Sequence, residues 1–283
     1  MMIQRSQWEC LLENLGNWQG TFTQLSAQGE LIEALKSETI LERMDQNQTM
    51  RQTIRKFYPE GTKENILEYK NLARSVLFFD NGAFSHGSTQ YSPLDALVAE
   101  LGLIDRDRQR RIRVVSTHKM RGALEKFTLI VEGLAGNAKP ELPTLTLDQI
   151  LGTWQGESTT IYADLRSPET FSSTLEIRQI DERQLQQKLT FANQEIFSIA
   201  VISANRLLFS SSSDPSAEVK AVQVLFLADG ASVACPVQLF NKEPFGLELG
   251  WLISPTIRQR IRRSYDSTGA WTSLTLTVEK KIA

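Results

Sequence analysis

The sequence contains few of the residues that mark a disulfide framework or a metal centre. Its 283 residues include two cysteines, Cys10 and Cys235, and two histidines, His86 and His118. The cysteines occupy unrelated positions in the two halves, so we expect neither a disulfide nor a metal motif and predict a reducing, cytoplasmic location. Neither histidine has a second ligand at metal spacing, which argues against zinc. A lone histidine is enough to ligate a haem, although a surface position is the simpler expectation for both.

Long apolar runs and an excess of one charge are also missing. No stretch of about 18 apolar residues occurs, so we expect no membrane-spanning helix. Residues 1–10 lack an apolar core, and we therefore expect no signal peptide. The formal net charge of −2 gives no reason to expect nucleic acid as a partner. No Gly-x-Ser-x-Gly motif, phosphate loop or paired nucleophile and base is present, so we predict no catalytic residue.

What the sequence has instead is an internal repeat. Leu-Gly-Asn-Trp-Gln-Gly at residues 15–20 returns as Leu-Gly-Thr-Trp-Gln-Gly at residues 151–156. Three more stretches recur in the same order, aligned as follows: 77–83 with 225–231, 111–113 with 260–262, and 128–132 with 275–279. The separation between copies grows across the interval that holds the Ser-rich run 210–216, so we place part of an insertion there. Similar stretches that recur in the same order predict an internal duplication of one domain.

The repeat predicts two domains joined by a short linker. We place the first domain at residues 1–135 and the second at residues 144–283. Residues 136–143 between them contain two prolines and no periodic pattern, which is typical of a linker.

Within each domain, one short helix precedes a series of strands. Residues 4–14 and 145–151 have the spacing of short amphipathic helices. Alternating stretches then predict nine strands in the first half and ten in the second, with hairpin tips at Asn81-Gly82 and Asp229-Gly230. The fold class is therefore all-β. Many short strands after one helix predict a closed antiparallel barrel or a sandwich, and closure into a barrel would remove exposed edge strands.

The Gly-x-Trp motif at each domain start resembles the lipocalins and the wider calycin superfamily. The two copies are Gly16-x-Trp18 and Gly152-x-Trp154. This resemblance implies two tandem lipocalin-like barrels, in which these glycines and tryptophans are structural and a late arginine covers each indole ring. The whole chain also resembles an uncharacterised family of tandem lipocalin-like proteins known mainly from cyanobacteria.

A second resemblance is confined to the stretch from Trp251 to Arg260. Its tryptophan, Ser254-Pro255 pair and alternating arginines resemble a late-strand signature of the S-type phycobiliprotein chromophore lyases. In those proteins such arginines are thought to meet the propionates of an open-chain tetrapyrrole. The resemblance implies a bilin as ligand and a phycobiliprotein subunit as partner. The first half departs from it, since Asp105-Arg106 stands where Ser254-Pro255 would be, so any bilin site is expected in the second barrel.

Alternating arginines are the main candidates for binding a ligand, because alternate residues of a strand share one face. If that face lines the lumen, one arginine covers the tryptophan and the other needs an acidic partner or a ligand anion. A solvated outer face is the equal alternative. With neighbouring aromatic residues included, the candidate ligand-binding residues are Trp251, Arg258, Arg260, Arg262, Tyr265, Arg111 and Arg113.

Three functions remain open on the sequence alone. The working hypothesis is binding of a small apolar molecule with an anionic tail, a bilin or a fatty acid, in a barrel lumen and preferentially in the second. The alternatives are a bilin lyase or chromophore chaperone, and a non-catalytic scaffold whose barrels are filled by their own side chains. None of the three requires a metal ion.

Overall fold

The structure is a computed structural model that describes residues 5–105, 109–136, 142–192, 194–210 and 220–282, apart from the side chain of residue 47. Strands account for 66% of the structure and helices for 7%, which confirms the predicted all-β class. In the described part of the chain, no helix combines the length and the apolarity that a membrane crossing requires.

Each half begins with a short capped helix, as the sequence predicts. Helix α1 (Gln7–Leu11) continues into a 3-10 turn at Leu12–Asn14, and helix α2 (Leu147–Ile150) opens the second half. Ser6 and Glu9 form a reciprocal capping box on α1, and Thr146 forms one with a glutamine on α2. These pairs satisfy backbone N–H groups that a helix start leaves without partners.

The first half forms one antiparallel sheet of nine strands. The strands are β1 (Gly16–Ser26), β2 (Leu31–Met44), β3 (Thr49–Tyr58), β4 (Gly61–Tyr69), β5 (Val76–Phe78), β6 (Phe84–Gly87), β7 (Leu97–Ile104), β8 (Arg110–His118) and β9 (Leu124–Leu134). Their order across the sheet is β4-β3-β2-β1-β9-β8-β7-β6-β5. The sheet curls into a half-barrel whose two edges, β4 and β5, are not paired with each other among the described residues.

The second half forms a closed antiparallel barrel in which each strand pairs with the next and the last pairs with the first. The strands are β10 (Gly152–Tyr162), β11 (Glu169–Gln179), β12 (Gln184–Phe191), β13 (Gln194–Ser203), β14 (Arg206–Ser210), β15 (Ala221–Phe226), β16 (Ala231–Pro236), β17 (Phe245–Ser254), β18 (Ile257–Tyr265) and β19 (Trp271–Lys281). The predicted strand numbers of nine and ten are both confirmed.

One strand explains why the second sheet closes and the first does not. The hairpin at Asp229-Gly230 corresponds to the one at Asn81-Gly82, so β15 and β16 correspond to β5 and β6. This leaves β14 without a counterpart, and β14 is the strand that joins β13 to β15. It lies in the interval where the sequence predicts an insertion; residues 211–216 of the Ser-rich run are outside the described residues. The expected first barrel is therefore a half-barrel.

Each sheet lies inside one predicted domain. Residues 137–141 of the predicted linker are outside the described part of the chain, so the domain boundaries at 135 and 144 remain predictions.

The largest hydrophobic core of the molecule lies between the two halves. Leu101 and Ile112 of the first sheet and Leu249, Trp251 and Ile261 of the second belong to this one buried cluster. Each such side chain contributes about 1.5–3 kcal/mol when fully buried. The outer faces of β7, β8, β17 and β18 therefore hold the halves together.

Polar contacts fix the same interface. Arg110 forms a buried ion pair with Asp229 of the other half. Arg263, with 0% exposure, donates to Tyr265 Oη at 2.8 Å and to the Ser88 carbonyl oxygen at 3.0 Å. Its guanidinium lies 3.6 Å from the centre of the Trp271 ring. The acceptors around Arg263 are uncharged, so hydrogen bonds and ring contact stabilise this buried cation.

Candidate functional site

In each half, a buried tryptophan connects the opening helix to the first strand. Trp18 and Trp154 both have 0% exposure. The indole N–H of Trp18 donates to the carbonyl oxygen of Asn14 at 2.9 Å, and that of Trp154 donates to Ile150 at 2.8 Å. Each carbonyl group belongs to the last residue of the opening helical segment, so the indole hydrogen bond holds that segment against the end of the sheet.

An arginine from a late strand covers each ring, as the lipocalin resemblance implies. The guanidinium carbon of Arg111 lies 4.6 Å from the centre of the Trp18 ring, and that of Arg258 lies 4.5 Å from Trp154. Contacts of this kind contribute about 0.5–2 kcal/mol. The structural role of the two tryptophans stays a prediction, which their full burial and these arginine contacts support.

The positions of these arginines correct the alignment of the repeat. Arg111 lies opposite Glu132 in the sheet, and Arg258 lies opposite Glu279. Arg258, rather than Arg260, therefore corresponds to Arg111, and the sequence alignment was wrong by two residues at this point. A shift of two residues keeps every side chain on its own face, so the Arg-x-Arg-x-Arg pattern matches equally well in either register.

In the first half, one carboxylate joins two arginines. Glu132 accepts from Arg111 Nε at 2.8 Å, from Arg113 Nε at 3.0 Å and from Arg113 Nη2 at 2.8 Å. Arg113 Nη1 also donates to Glu100 at 2.7 Å. Burial opposes ionisation of Glu132, but the two arginines outweigh it and lower the pKa of this carboxyl group to about 2. We call these four residues, with Trp18, the Trp18 network.

The second half repeats this arrangement in the Trp154 network. Glu279 accepts from Arg258 Nε at 2.6 Å and from Arg260 Nη2 at 2.7 Å, and Arg260 Nη1 donates to Glu248 at 3.1 Å. The two arginines again outweigh burial and hold the pKa of Glu279 at about 2. The acidic partners that the sequence analysis required are thus glutamates of the chain itself.

The other predicted ligand-binding residues do not line one site together with Arg258 and Arg260. Trp251 and Tyr265 lie on the opposite face of their strands, in the core between the halves. The Trp251 indole donates to the Asp229 carbonyl oxygen, and Tyr265 Oη donates to Ser88. Arg262 shares the face of Arg258, but its side chain is half exposed and lies 4.0 Å from Glu248. The strand period of two explains the separation, since odd and even positions point to opposite faces.

A cavity of about 440 Å³ lies inside the half-barrel, next to the Trp18 network. Residues 71–73, in the short connection between the two sheet edges, form part of its wall. Aliphatic and aromatic side chains make up more than half of the lining, including Leu41, Leu67, Tyr69, Phe78 and Phe84. We call this space the first-half cavity.

Polar groups converge on one side of the first-half cavity. Arg111, Arg113, Glu100, Thr39 and Asn14 all line it. Arg111 donates to Asn14 Oδ1 at 3.3 Å, but its Nη2 has no hydrogen-bond partner among the described residues, and the same holds for Thr39 Oγ1. Arg111 is 2% exposed and Thr39 is 1% exposed. Buried donors without partners destabilise a fold, so these atoms indicate a position for an acceptor.

The equivalent place in the second barrel has a different lining. Strand pairing shows that Leu175 corresponds to Thr39, and Ile150 corresponds to Asn14. Both belong to a buried apolar cluster around Trp154, to which the additional strand β14 contributes Leu207. Arg258 Nη2 also lacks a partner among the described residues, but the guanidinium group of Arg258 lies against Trp154, which belongs to this apolar cluster.

Sequence reasoning missed both the glutamates and the polar lining, although signals for both were present. Glu132 and Glu279 are the last residues of the repeated stretches 128–132 and 275–279. A charged residue that recurs at the same position of an apolar strand indicates a buried charged partner. Thr39 and Leu175 differ in polarity at equivalent positions next to the repeated tryptophan.

The histidines and cysteines take little part in this site. His86 lies at the exposed rim of the first-half cavity. His118, expected on the surface, is buried between the halves, where a ring nitrogen lies 3.0 Å from the Pro236 carbonyl oxygen. Cys10 and Cys235 are buried and free. The described residues contain no group of three or more His, Cys, Asp or Glu side chains placed to hold a metal ion.

The fold and site together define a tandem β protein with one closed barrel and one half-barrel that encloses a cavity of ligand size. Residues 4–137 match the family model for the N-terminal domain of unknown function DUF3598. A solved structure of a DUF3598 protein of unknown function from Nostoc punctiforme PCC 73102 is 40% identical, covers 99% of this chain and 100% of its own, and gives a TM-score of 0.90. The chain belongs to the DUF3598 family.

Other comparisons are partial. Residues 141–282 match the family model for the C-terminal domain of Biogenesis factor required for ATP synthase 1. The S-type phycobiliprotein lyase from Guillardia theta is 12% identical over 48% of this chain and 90% of its own, with a TM-score of 0.36. A likeness this low carries no argument about function. None of the curated proteins matches the chain.

Proposed function

We propose that this protein binds a small, mainly apolar molecule in the first-half cavity, with an acceptor atom of that molecule bonded to Arg111. The observation that carries this proposal is the buried Nη2 of Arg111, which has no partner among the described residues at the edge of a cavity of about 440 Å³. A ligand oxygen at this position would satisfy the donor, and hydrogen bonds to charged groups contribute about 1.5–3 kcal/mol.

The size and lining of the first-half cavity support the proposal. Small-molecule sites commonly have volumes of about 300–1,000 Å³, apolar walls and a few convergent polar groups. Here Leu41, Leu67 and Phe84 supply the apolar wall, while Arg111 and Thr39 supply the polar groups.

The comparison of the two halves favours the first as the ligand site. Sequence reasoning placed the ligand in the second barrel at Arg258 and Arg260. In the structure, both arginines bond to Glu279, and apolar side chains such as Leu175 fill the space around Trp154. The second-barrel site remains a prediction with less support than the first-half cavity.

The family match of the second half supports a second candidate function. Its relation to the C-terminal domain of an ATP synthase biogenesis factor is consistent with a role in assembling that enzyme. Under this proposal, cells that lack the protein contain less assembled ATP synthase, measured by native electrophoresis; an unchanged amount contradicts it.

A double variant tests the ligand proposal. Asn14→Ile with Thr39→Leu gives the first-half cavity the side chains of the second half. The wild type is expected to bind Nile red, a neutral apolar dye with a carbonyl group, at one saturable site per chain. The variant should bind at least about tenfold more weakly, a difference of about 1.4 kcal/mol, in a fluorescence titration.

A control variant repeats the Thr→Leu substitution at a position outside the cavity. Thr190→Leu changes a half-buried position on the outer face of β12 in the second barrel and should leave the affinity for Nile red unchanged. Thermal melts of all three proteins check that each is folded. Equal affinity in the wild type and the double variant, or a wild type without saturable dye binding, contradicts the proposal.

A further inference from the structure

We infer that the ligand of the first-half cavity presents an uncharged acceptor to Arg111, such as a ketone, ester or amide carbonyl, and not a carboxylate. This inference rests on the proposed function and specifies the chemical class of the ligand. It departs from the anionic tail that the sequence predicted, because the sequence reasoning did not identify the glutamates that neutralise the arginines.

The charges around the acceptor position already balance. Arg111 and Arg113 carry two positive charges, and Glu132 and Glu100 carry two negative charges within hydrogen-bond distance of them. The side chain of Glu132 is fully buried, and that of Glu100 is 21% exposed and lines the cavity. Every guanidinium nitrogen of Arg113 is bonded to one of these carboxylates. Among the described residues, Arg111 Nη2 is the only guanidinium nitrogen of the Trp18 network without a hydrogen-bond partner.

A carboxylate at Arg111 would therefore add a third negative charge to a buried network with two positive ones. Removing an ion from water costs several kcal/mol in a protein interior, and only an opposite net charge or several hydrogen bonds offset that cost. The network offers no net positive charge and one free nitrogen. An uncharged carbonyl needs only one donor and has a much smaller desolvation cost.

The other titratable side chains near the cavity do not supply the missing charge. His86 lies at the exposed rim, on the solvent side of the network. Lys56 lies farther along the inner face of β3, with its Nζ 4.4 Å from the centre of the Phe22 ring. Burial lowers the pKa of Lys56, and the Glu33 carboxylate, which acts in the opposite direction, offsets the positive charge of this side chain.

Thr39 adds a second uncharged group. Its hydroxyl group is buried, lines the cavity and has no partner among the described residues. A hydroxyl can donate or accept, so it suits a neutral polar end with more than one oxygen or nitrogen atom. It adds no charge that would favour an anion.

Competition between matched probes tests the inference. Nile red bound to the protein is displaced at pH 7.5 by 2-dodecanone, by methyl dodecanoate and by dodecanoate, which share an apolar chain and differ in the charge of the oxygen-bearing end. The two neutral probes should compete at least about tenfold more tightly than dodecanoate. Glu100→Gln removes one negative charge while keeping an acceptor for Arg113, so it should raise the relative affinity for dodecanoate by about tenfold. Glu248→Gln, at the equivalent position of the second barrel, should leave the ratio unchanged.

The outcomes separate this inference from the proposed function. If dodecanoate competes as well as the neutral probes, or if Glu100→Gln does not shift the ratio, the inference is wrong while ligand binding in the cavity stands. If the wild type shows no saturable binding of Nile red, both the inference and the proposed function are wrong.

Discussion

Replacing Glu132 by glutamine should destabilise the protein by about 3 kcal/mol at neutral pH. The substitution keeps the shape of the side chain and removes the charge that lies between Arg111 and Arg113. The folded-state pKa of Glu132 is about 2, against an ordinary value of 4.5. Each pKa unit corresponds to about 1.36 kcal/mol, so the charged form contributes roughly 3 kcal/mol. Breaking a buried ion pair by removing one partner has a similar cost, about 3–5 kcal/mol.

The pH dependence of this loss follows from the direction of the shift. Because folding lowers the pKa of Glu132, its contribution is fully present above about pH 4.5 and is lost as the pH falls towards 2. The difference in unfolding free energy between wild type and Glu132→Gln should therefore shrink by roughly half or more between pH 5 and pH 3.

Urea unfolding followed by tryptophan fluorescence measures both quantities. Glu279→Gln should behave like Glu132→Gln, because Glu279 occupies the same position in the Trp154 network. Glu125→Gln, an exposed position on β9, should change the free energy of unfolding by less than about 0.5 kcal/mol. A loss below about 1 kcal/mol for Glu132→Gln at pH 7, or a loss that stays constant down to pH 3, would refute the reasoning.

Two further predictions concern buried rings. Trp154→Ala should cost about 3–5 kcal/mol in a denaturant melt, because the ring is fully buried under Arg258; a loss below about 1 kcal/mol would place it outside the core. Burial lowers the pKa of His118 to about 4 from 6.5, so wild-type stability should fall as the pH decreases from 6.5 towards 4. His118→Gln should flatten that part of the stability curve, and an equal slope in both proteins would contradict the assignment.

The secondary structure was largely predictable because it depends on local patterns. Alternation and turn residues indicated nine and ten strands, and the structure has these numbers. The capping residues before each helix and the repeated Gly-x-Trp motifs were also visible. Each of these signals occupies a few neighbouring residues, so no knowledge of distant contacts was needed.

The site was less predictable because it depends on register and closure. A strand pattern shows which residues share a face but not which face points inward, and Trp251 and Tyr265 proved to face the other half of the molecule. The Arg-x-Arg-x-Arg run fits two registers equally well, so the sequence aligned Arg111 with Arg260, whereas strand pairing aligns it with Arg258. Closure by β14 is a long-range property that the alignment showed only as an irregular separation between copies.

The duplication explains how the two halves can differ in role although each contains the same arginine–tryptophan–glutamate network. In both networks an arginine lies over a tryptophan, and glutamates neutralise the arginine charge. The networks alone therefore do not distinguish the ligand preference of the two halves. The differences lie in the side chains next to each tryptophan: Leu175 and Leu207 belong to a buried apolar cluster around Trp154, whereas Thr39 lines a cavity in the first half. A buried donor without a partner costs about 1–3 kcal/mol, so a ligand acceptor at Arg111 would stabilise the first half. Asn14 accepts a hydrogen bond from Arg111, so Asn14→Ile also removes a stabilising contact, whereas the Thr39 hydroxyl group has no partner among the described residues. The binding proposal therefore requires that Thr39→Leu alone weakens dye binding without lowering the melting temperature. A variant that loses both would show that the polar lining stabilises the half-barrel and has no separate role in binding.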